Sequence, residues 1–108
     1  MSRHTLSKAQ FDVMAEEATA DCHDESEATG GWFNMIEENL KVPFETQLLG
    51  MPVTVESVGI DRRNEIVAVC CRGKHRQAIP IQHLPIPSPP PEGAQWIEAY
   101  RRWSGGLA

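Results

Sequence analysis

The sequence predicts an α+β fold: two N-terminal helices, a small antiparallel sheet and one C-terminal helix. Three observations lead there. Residues 5–22 and 31–42 carry apolar side chains at helical spacing. After Pro43 the texture changes to short runs rich in Val and Ile, separated by polar and glycine turns. From Glu92 the helical spacing returns. Strands grouped in sequence, with helices before and after, pack as α+β rather than as alternating βαβ units. For strands this short the simplest architecture is a bent antiparallel sheet or an SH3-like barrel, its open side covered by the helices.

The first helix is expected over residues 5–22. Phe11, Met14, Ala15, Ala18 and Cys22 share its apolar face, and Thr5 or Ser7 is a suitable cap. Asp21 to Gly31 reads as an acidic loop. Thr29 is expected to cap the second helix, which stops before Pro43. At about 100° per residue, Trp32, Phe33, Met35, Ile36 and Leu40 fall on one arc of that helix. Asn34, Glu37, Glu38 and Lys41 fall on the other. Asn39 lies within the apolar arc near the helix end, where its amide can bond backbone carbonyls.

Four strands are expected: Phe44–Leu49, Val53–Ile60, Glu65–Arg72 and Arg76–Ile81. Gly50-Met51-Pro52, Asp61–Asn64 and Gly73-Lys74 are the turns between them. Pro80 predicts that the fourth strand lies at an edge or ends there. Leu84–Pro91 is a stiff proline-rich connector. Glu92–Trp103 is the last helix, with Trp96, Ala99, Tyr100 and Trp103 on one face. The organisation expected is one globular unit, with 1–28 as an N-terminal helix and acidic loop and 29–104 as the α+β domain.

The chain has 108 residues and a net charge of -5, unevenly spread. Residues 1–48 hold ten acids and three bases, whereas residues 49–108 hold five acids and seven bases. An acidic front half repels nucleic acid and attracts cations or basic partners. Met1–Lys8 lacks the apolar core of an export signal. No apolar run approaches the roughly 18 residues needed to span a bilayer. The expected setting is the cytoplasm, with no membrane partner and three reduced cysteines.

Cys22, Cys70, Cys71 and the four histidines, His4, His23, His75 and His83, raise the possibility of zinc. Their spacing opposes it, since structural sites pair ligands as C-x₂₋₄-C or H-x₃₋₅-H. Adjacent Cys70 and Cys71 on a strand point to opposite faces. No nucleophile elbow, phosphate loop or H-E-x-x-H occurs, so no enzyme activity is expected. Arg72-Gly73-Lys74-His75-Arg76 is a basic hairpin tip, but without interleaved aromatics it does not read as a nucleic-acid site.

The carboxylates are the best candidates for chemistry. Calcium takes several oxygen ligands from carboxylates, carbonyls and water. Asp21, Asp24, Glu25 and Glu27 lie in the acidic loop, Glu37 and Glu38 on the second helix, and Asp61, Asn64 and Glu65 in a turn between strands. No EF-hand loop is present.

The segments Gly31-Trp32-Phe33, Ile36-Glu37-Glu38-Asn39-Leu40 and Pro43-Phe44 together resemble the opening motif of the small acidic CcbP-type calcium-binding proteins. Val53-Thr54-Val55 is similar to that family's central strand, Gly73 to Leu84 to its closing hairpin, and Trp96 to Trp103 to its terminal aromatic helix. The resemblance covers residues 30–104. It implies a cytoplasmic bacterial protein that binds Ca²⁺ without an EF-hand, on a small barrel-like sheet with helices. Glu37 and Glu38 match the family's acidic pair. The turn at Asp61–Glu65 departs from it, because Arg62 and Arg63 there oppose a divalent ion.

Two functions follow as expectations. The first is a calcium buffer or sensor with Glu37, Glu38, Asp61, Asn64 and Glu65 as ligands, with Asp24 and Glu27 assisting if their loop folds back. Clustered carboxylates repel one another, and the ion relieves that repulsion. The second is a non-catalytic protein-interaction module that keeps the fold with weak or no calcium binding.

Overall fold

The computed structural model describes residues 6–105. His4 and Thr5 lie outside them, as does Gly106. The elements are α1 (Lys8–Thr19), α2 (Glu25–Asn39), β1 (Phe44–Leu48), β2 (Met51–Ile60), β3 (Ile66–Arg72), β4 (His75–Pro80), a 3₁₀ turn (Ile81–His83) and α3 (Ala94–Trp103). The strands form one open antiparallel sheet in the order β1-β2-β3-β4, with α1 and α2 before it and α3 after it. The fold is α+β, and among the described residues β1 and β4 remain the two edges of the sheet.

Ser7 caps α1 through a capping box: its Oγ accepts from the Gln10 N–H at 3.0 Å, and Gln10 Oε1 accepts from the Ser7 N–H at 3.0 Å. The helix ends at Thr19, short of Cys22, because Asp21 adopts a left-handed φ of 63°. The acidic loop expected over Asp21–Gly31 is largely helical. Asp24 is the N-cap of α2, accepting from the Glu27 N–H at 2.8 Å, and Glu25 and Glu27 occupy the first turn. Thr29 is therefore not the cap. It sits inside the helix, buried, with its hydroxyl donating to Glu25 O at 3.1 Å. The acids that suggested a loop are residues that favour a helix start, where they face the positive end of the backbone dipole. The boundary expected between residues 28 and 29 thus falls within α2.

The α2 arc is as expected: Trp32, Ile36 and Leu40 are buried, Phe33 and Met35 half-buried, and Glu37 and Glu38 exposed. Asn39 donates to Met35 O at 2.8 Å. Trp32 is fully buried among Trp96, Tyr100 and Trp103, at ring-centroid distances of 6.2, 5.9 and 5.7 Å. The core joins these rings to Val55 of β2, to Ile66, Ala68 and Cys70 of β3, and to Ile81, Leu84 and Ile97.

A β-bulge in β2 explains the spacing of its apolar residues. The register shifts between Val55 and Ser57, so Val58 pairs with Ala68 and Ile60 with Ile66. One extra residue at Glu56 moves the core-facing set from odd to even numbers. Val53 and Val55 before it, and Val58 and Ile60 after it, thereby share one face. Pro80 ends β4, an edge strand. Beyond the 3₁₀ turn, Arg101 of α3 pins the chain: Nε and Nη2 donate to Ile81 O at 3.0 and 2.8 Å, and Nη2 also donates to Leu84 O. The final helix starts at Ala94 rather than Glu92, because Gly93 takes a φ of 90° against the backbone of Asn39.

The first hairpin turn is Leu49-Gly50, one residue earlier than expected, and Pro52 lies within β2. Both turn residues have positive φ, 52° and 77°, the pattern of a type I′ turn. A leucine there bears a Cβ clash that asparagine tolerates better. Leu49 is also fully exposed. Leu49→Asn is expected to stabilise the fold by about 1 kcal/mol. A rise in urea midpoint at unchanged slope is the check; an unchanged or lower midpoint contradicts the assignment.

Candidate functional site

The five expected ligands divide into two groups. Glu37 and Glu38 project from the exposed side of the last turns of α2. Asp61, Asn64 and Glu65 lie in the β2–β3 turn, which packs at the other end of the same helix, where Asn64 Nδ2 donates to Ser26 Oγ at 3.4 Å. Ser26 and Glu37 are about 16 Å apart at the rise of an α-helix. Ligand oxygens for calcium lie about 2.3–2.6 Å from the ion, so one ion cannot take both groups.

The turn is organised by Asp61. Its Oδ1 accepts from the N–H groups of Arg63 and Glu65, at 2.9 and 3.0 Å. Its own N–H donates to Glu65 O at 2.9 Å, and its carbonyl accepts from Asn64 N–H at 3.0 Å. Asn64 takes a φ of 64°, a conformation its short amide side chain tolerates. One oxygen of Asp61 is therefore committed to shaping the turn. Arg62 and Arg63 are exposed and make no ion pair among the described residues.

The expected helpers, Asp24 and Glu27, lie within two residues of Ser26 at the start of α2. Each already has backbone work: Asp24 caps the Glu27 N–H, and Glu27 Oε1 accepts from the His23 N–H at 2.7 Å. Among the described residues, no group of three or more His, Cys, Asp or Glu side chains is placed to hold a metal ion.

The cysteines do not converge either. Cys70 faces the core and Cys71 the opposite side of β3, as strand geometry requires. Burial, and then the neighbouring Cys71, raise the Cys70 thiol. Desolvation and Glu56 raise Cys71, against a smaller lowering by Arg76. Both thiols are thus poorly activated as nucleophiles at neutral pH. Cys22 is half-buried rather than buried, with Sγ 3.4 Å from Glu27 O. At the basic hairpin tip, Arg76 pairs with Glu56 of the bulge at 3.3 Å, and Arg72 and Lys74 are exposed.

Glu65 belongs to a different environment from Asp61. Its side chain borders a cavity of about 420 Å³, whose wall also includes Gln82, His83, Tyr100 and Ser104. Burial, and then the Glu65 charge, raise the Tyr100 phenol above its ordinary range. These residues escaped the sequence reading because they come from the 3₁₀ turn and the end of α3, far from Glu65 along the chain. A larger groove of about 1790 Å³ runs between α1, the connector and α3, with Val13 exposed at its edge. Two of its three charged groups have structural partners: Glu98 accepts from the Leu6 N–H at 3.4 Å, and Arg101 holds the carbonyls of Ile81 and Leu84.

No helix among the described residues is long and apolar enough to cross a membrane. Comparison with protein-family models, with curated proteins and with solved structures returns no match.

Proposed function

We propose that this chain is a calcium-binding protein without an EF-hand, its ion held where the β2–β3 turn meets the first turn of α2. The observation that carries this reading is the Asn64–Ser26 contact, which draws together two acid-bearing segments 38 residues apart. Asn64 Oδ1 and the second carboxylate oxygen of Asp61 would supply hard oxygen donors there, with water completing the shell. The resemblance to the CcbP-type proteins suggests calcium for the chain as a whole, although its matching acidic pair is Glu37 and Glu38 and not the turn. Glu37 and Glu38, at the other end of α2, belong to a separate site on this reading.

With few carboxylates and two arginines in the turn, affinity is expected to be weak, with Kd on the order of 10⁻⁴–10⁻³ M. Calorimetry on chelator-stripped protein with excess Mg²⁺ is the test. Asp61→Asn keeps the turn-forming oxygen and removes the charge, so it should lower affinity without unfolding the turn. Glu37→Gln with Glu38→Gln should leave the junction ion unaffected. Saturable heat that is lost in the Glu37/Glu38 double variant and kept in Asp61→Asn would move the site to α2's far end. Absence of heat at millimolar Ca²⁺ would refute calcium binding.

A second reading, a non-catalytic protein-interaction module, is favoured by the lack of three converging metal-binding side chains among the described residues. Exposed Arg62 and Arg63 beside Asp61 point the same way. On that reading, charge reversal at Lys74 and Arg76 weakens binding of an acidic protein partner, and calcium makes no difference.

A further inference from the structure

We propose that β1 is an interface for a second copy of this chain, the two β1 strands pairing antiparallel about a two-fold axis so that two four-stranded sheets become one continuous sheet. The inference goes beyond the calcium reading and does not depend on it.

The register shows which backbone groups face outward. In an antiparallel ladder, pairs that exchange hydrogen bonds alternate with pairs that do not. Leu48 and Met51 close the two-residue turn as a bonded pair, so Gln47–Pro52 and Glu45–Thr54 are non-bonded pairs. Pro52, which has no N–H, fits that phase. The N–H and C=O groups of Glu45 and Gln47 therefore point away from β2, toward the open edge. Among the described residues, no backbone group beyond β2 bonds to them. The proline-rich connector meets β1 on its core side, where the Thr46 hydroxyl donates to Pro85 O at 2.6 Å.

The strand is complementary to itself in one register. With Thr46 on the axis, Glu45 of each copy exchanges backbone hydrogen bonds with the partner's Gln47. The Glu45 carboxylate then faces the partner's Gln47 amide, an acceptor against a donor, and half-buried Phe44 faces the partner's Leu48. An axis at Glu45 would oppose two carboxylates, and an axis at Gln47 would set Glu45 against the partner's Leu49.

The ends of β1 supply apolar contact. The large apolar side chains exposed among the described residues are Val13, Val42, Leu49, Met51 and Ile60, and three of them stand at the ends of this strand. With Thr46 on the axis, the partner's Leu49 falls beside Pro43 and Val42, and symmetry repeats the contact. In a single copy Leu49 is fully exposed and held at a φ of 52°, which disfavours leucine. Burial against a second copy supplies the reason for an apolar residue there. The other edge is blunted: β4 carries Arg76 and ends at Pro80, whose missing N–H falls at an outward position. β1 contains no proline, lysine or arginine. Two five-residue strands make a small contact, so the dimer is weak and reversible.

The test is sedimentation equilibrium of the full chain up to about 1 mM, with amide hydrogen exchange by NMR at low and high concentration. The mass is expected to rise from 12.0 kDa toward twice that value. Protection should grow with concentration at the Glu45 and Gln47 N–H groups, and not at Arg76 or Ala78 of β4. Gln47→Glu opposes carboxylates across the axis and should weaken association about fivefold, whereas Gln47→Lys should strengthen it by a similar factor. The same exchanges at exposed Gln77 of β4 change the net charge equally and should leave association as it is. Leu49→Asn, the more stable monomer, should associate about tenfold more weakly. A mass that stays at 12.0 kDa, protection at β4 instead of β1, equal responses at Gln47 and Gln77, or undiminished association of Leu49→Asn would overturn the proposal.

Discussion

Replacing Trp32 by alanine is expected to cost about 4 kcal/mol of folding stability. Its indole is fully buried and touches three further aromatic rings of α3, so truncation leaves a cavity that rigid neighbours cannot collapse into. A domain of this size has a total stability of about 5–15 kcal/mol, so the variant sits close to unfolding. Trp32→Phe is the informative partner. The Trp32 indole N–H is buried without a hydrogen-bond partner among the described residues. Phenylalanine removes that unsatisfied donor while keeping a ring against Tyr100, so its cost should stay within about 1–2 kcal/mol. Urea unfolding followed by far-UV circular dichroism measures both. A loss below about 1 kcal/mol for Trp32→Ala would show that the aromatic cluster is not the main core.

The second large effect concerns two adjacent glycines that look interchangeable. Gly31→Ala is expected to destabilise by about 3 kcal/mol, and Gly30→Ala to stabilise by about 1 kcal/mol. Both lie in the interior of α2, where alanine is the better helix former. A Cβ on Gly30 meets nothing within 4 Å. A Cβ on Gly31 would strike the Ala18 carbonyl, with Cys22 Sγ at 3.4 Å. That carbonyl is backbone and cannot rotate aside, so α1 would have to move off α2. Thermal midpoints that shift in opposite directions are the check. Two stabilising substitutions would mean that the α1–α2 approach is looser than the structure has it.

The helical and strand patterns were legible because periodicity survives from chain to fold. Trp32, Ile36 and Leu40, or Ile66, Ala68 and Cys70, are spaced by the geometry of the element that buries them. Where local chemistry carried two meanings, the reading went astray. Asp24, Glu25 and Glu27 suit a solvated loop and a helix start equally well, and the backbone N–H groups of α2 decided for the second. The change of parity from Val53 and Val55 to Val58 and Ile60 was visible in the sequence as a bulge signal.

The candidate site was less legible, because it depends on which loops meet. The acids Glu37, Glu38, Asp61 and Glu65 and the amide of Asn64 can be named from the sequence, yet their spacing carries no information about convergence. Folding separates the first pair from the rest along α2 and pairs Asn64 with Ser26. It also turns Glu65 toward Tyr100, a neighbour that no local pattern announces.

The sequence by itself determined the order of helices and strands, the buried faces of α2 and α3, and the opposed orientation of Cys70 and Cys71. These are properties of short stretches of chain, set by side-chain periodicity and turn chemistry. The tertiary structure alone decided that the sheet stays open, that Gly31 rather than Gly30 is irreplaceable, that Arg101 is spent on the carbonyls of Ile81 and Leu84, and that the acids fall into separate groups. Each of these depends on contacts between residues distant in sequence. The energy of such a contact exists only once both partners have been packed against the same core.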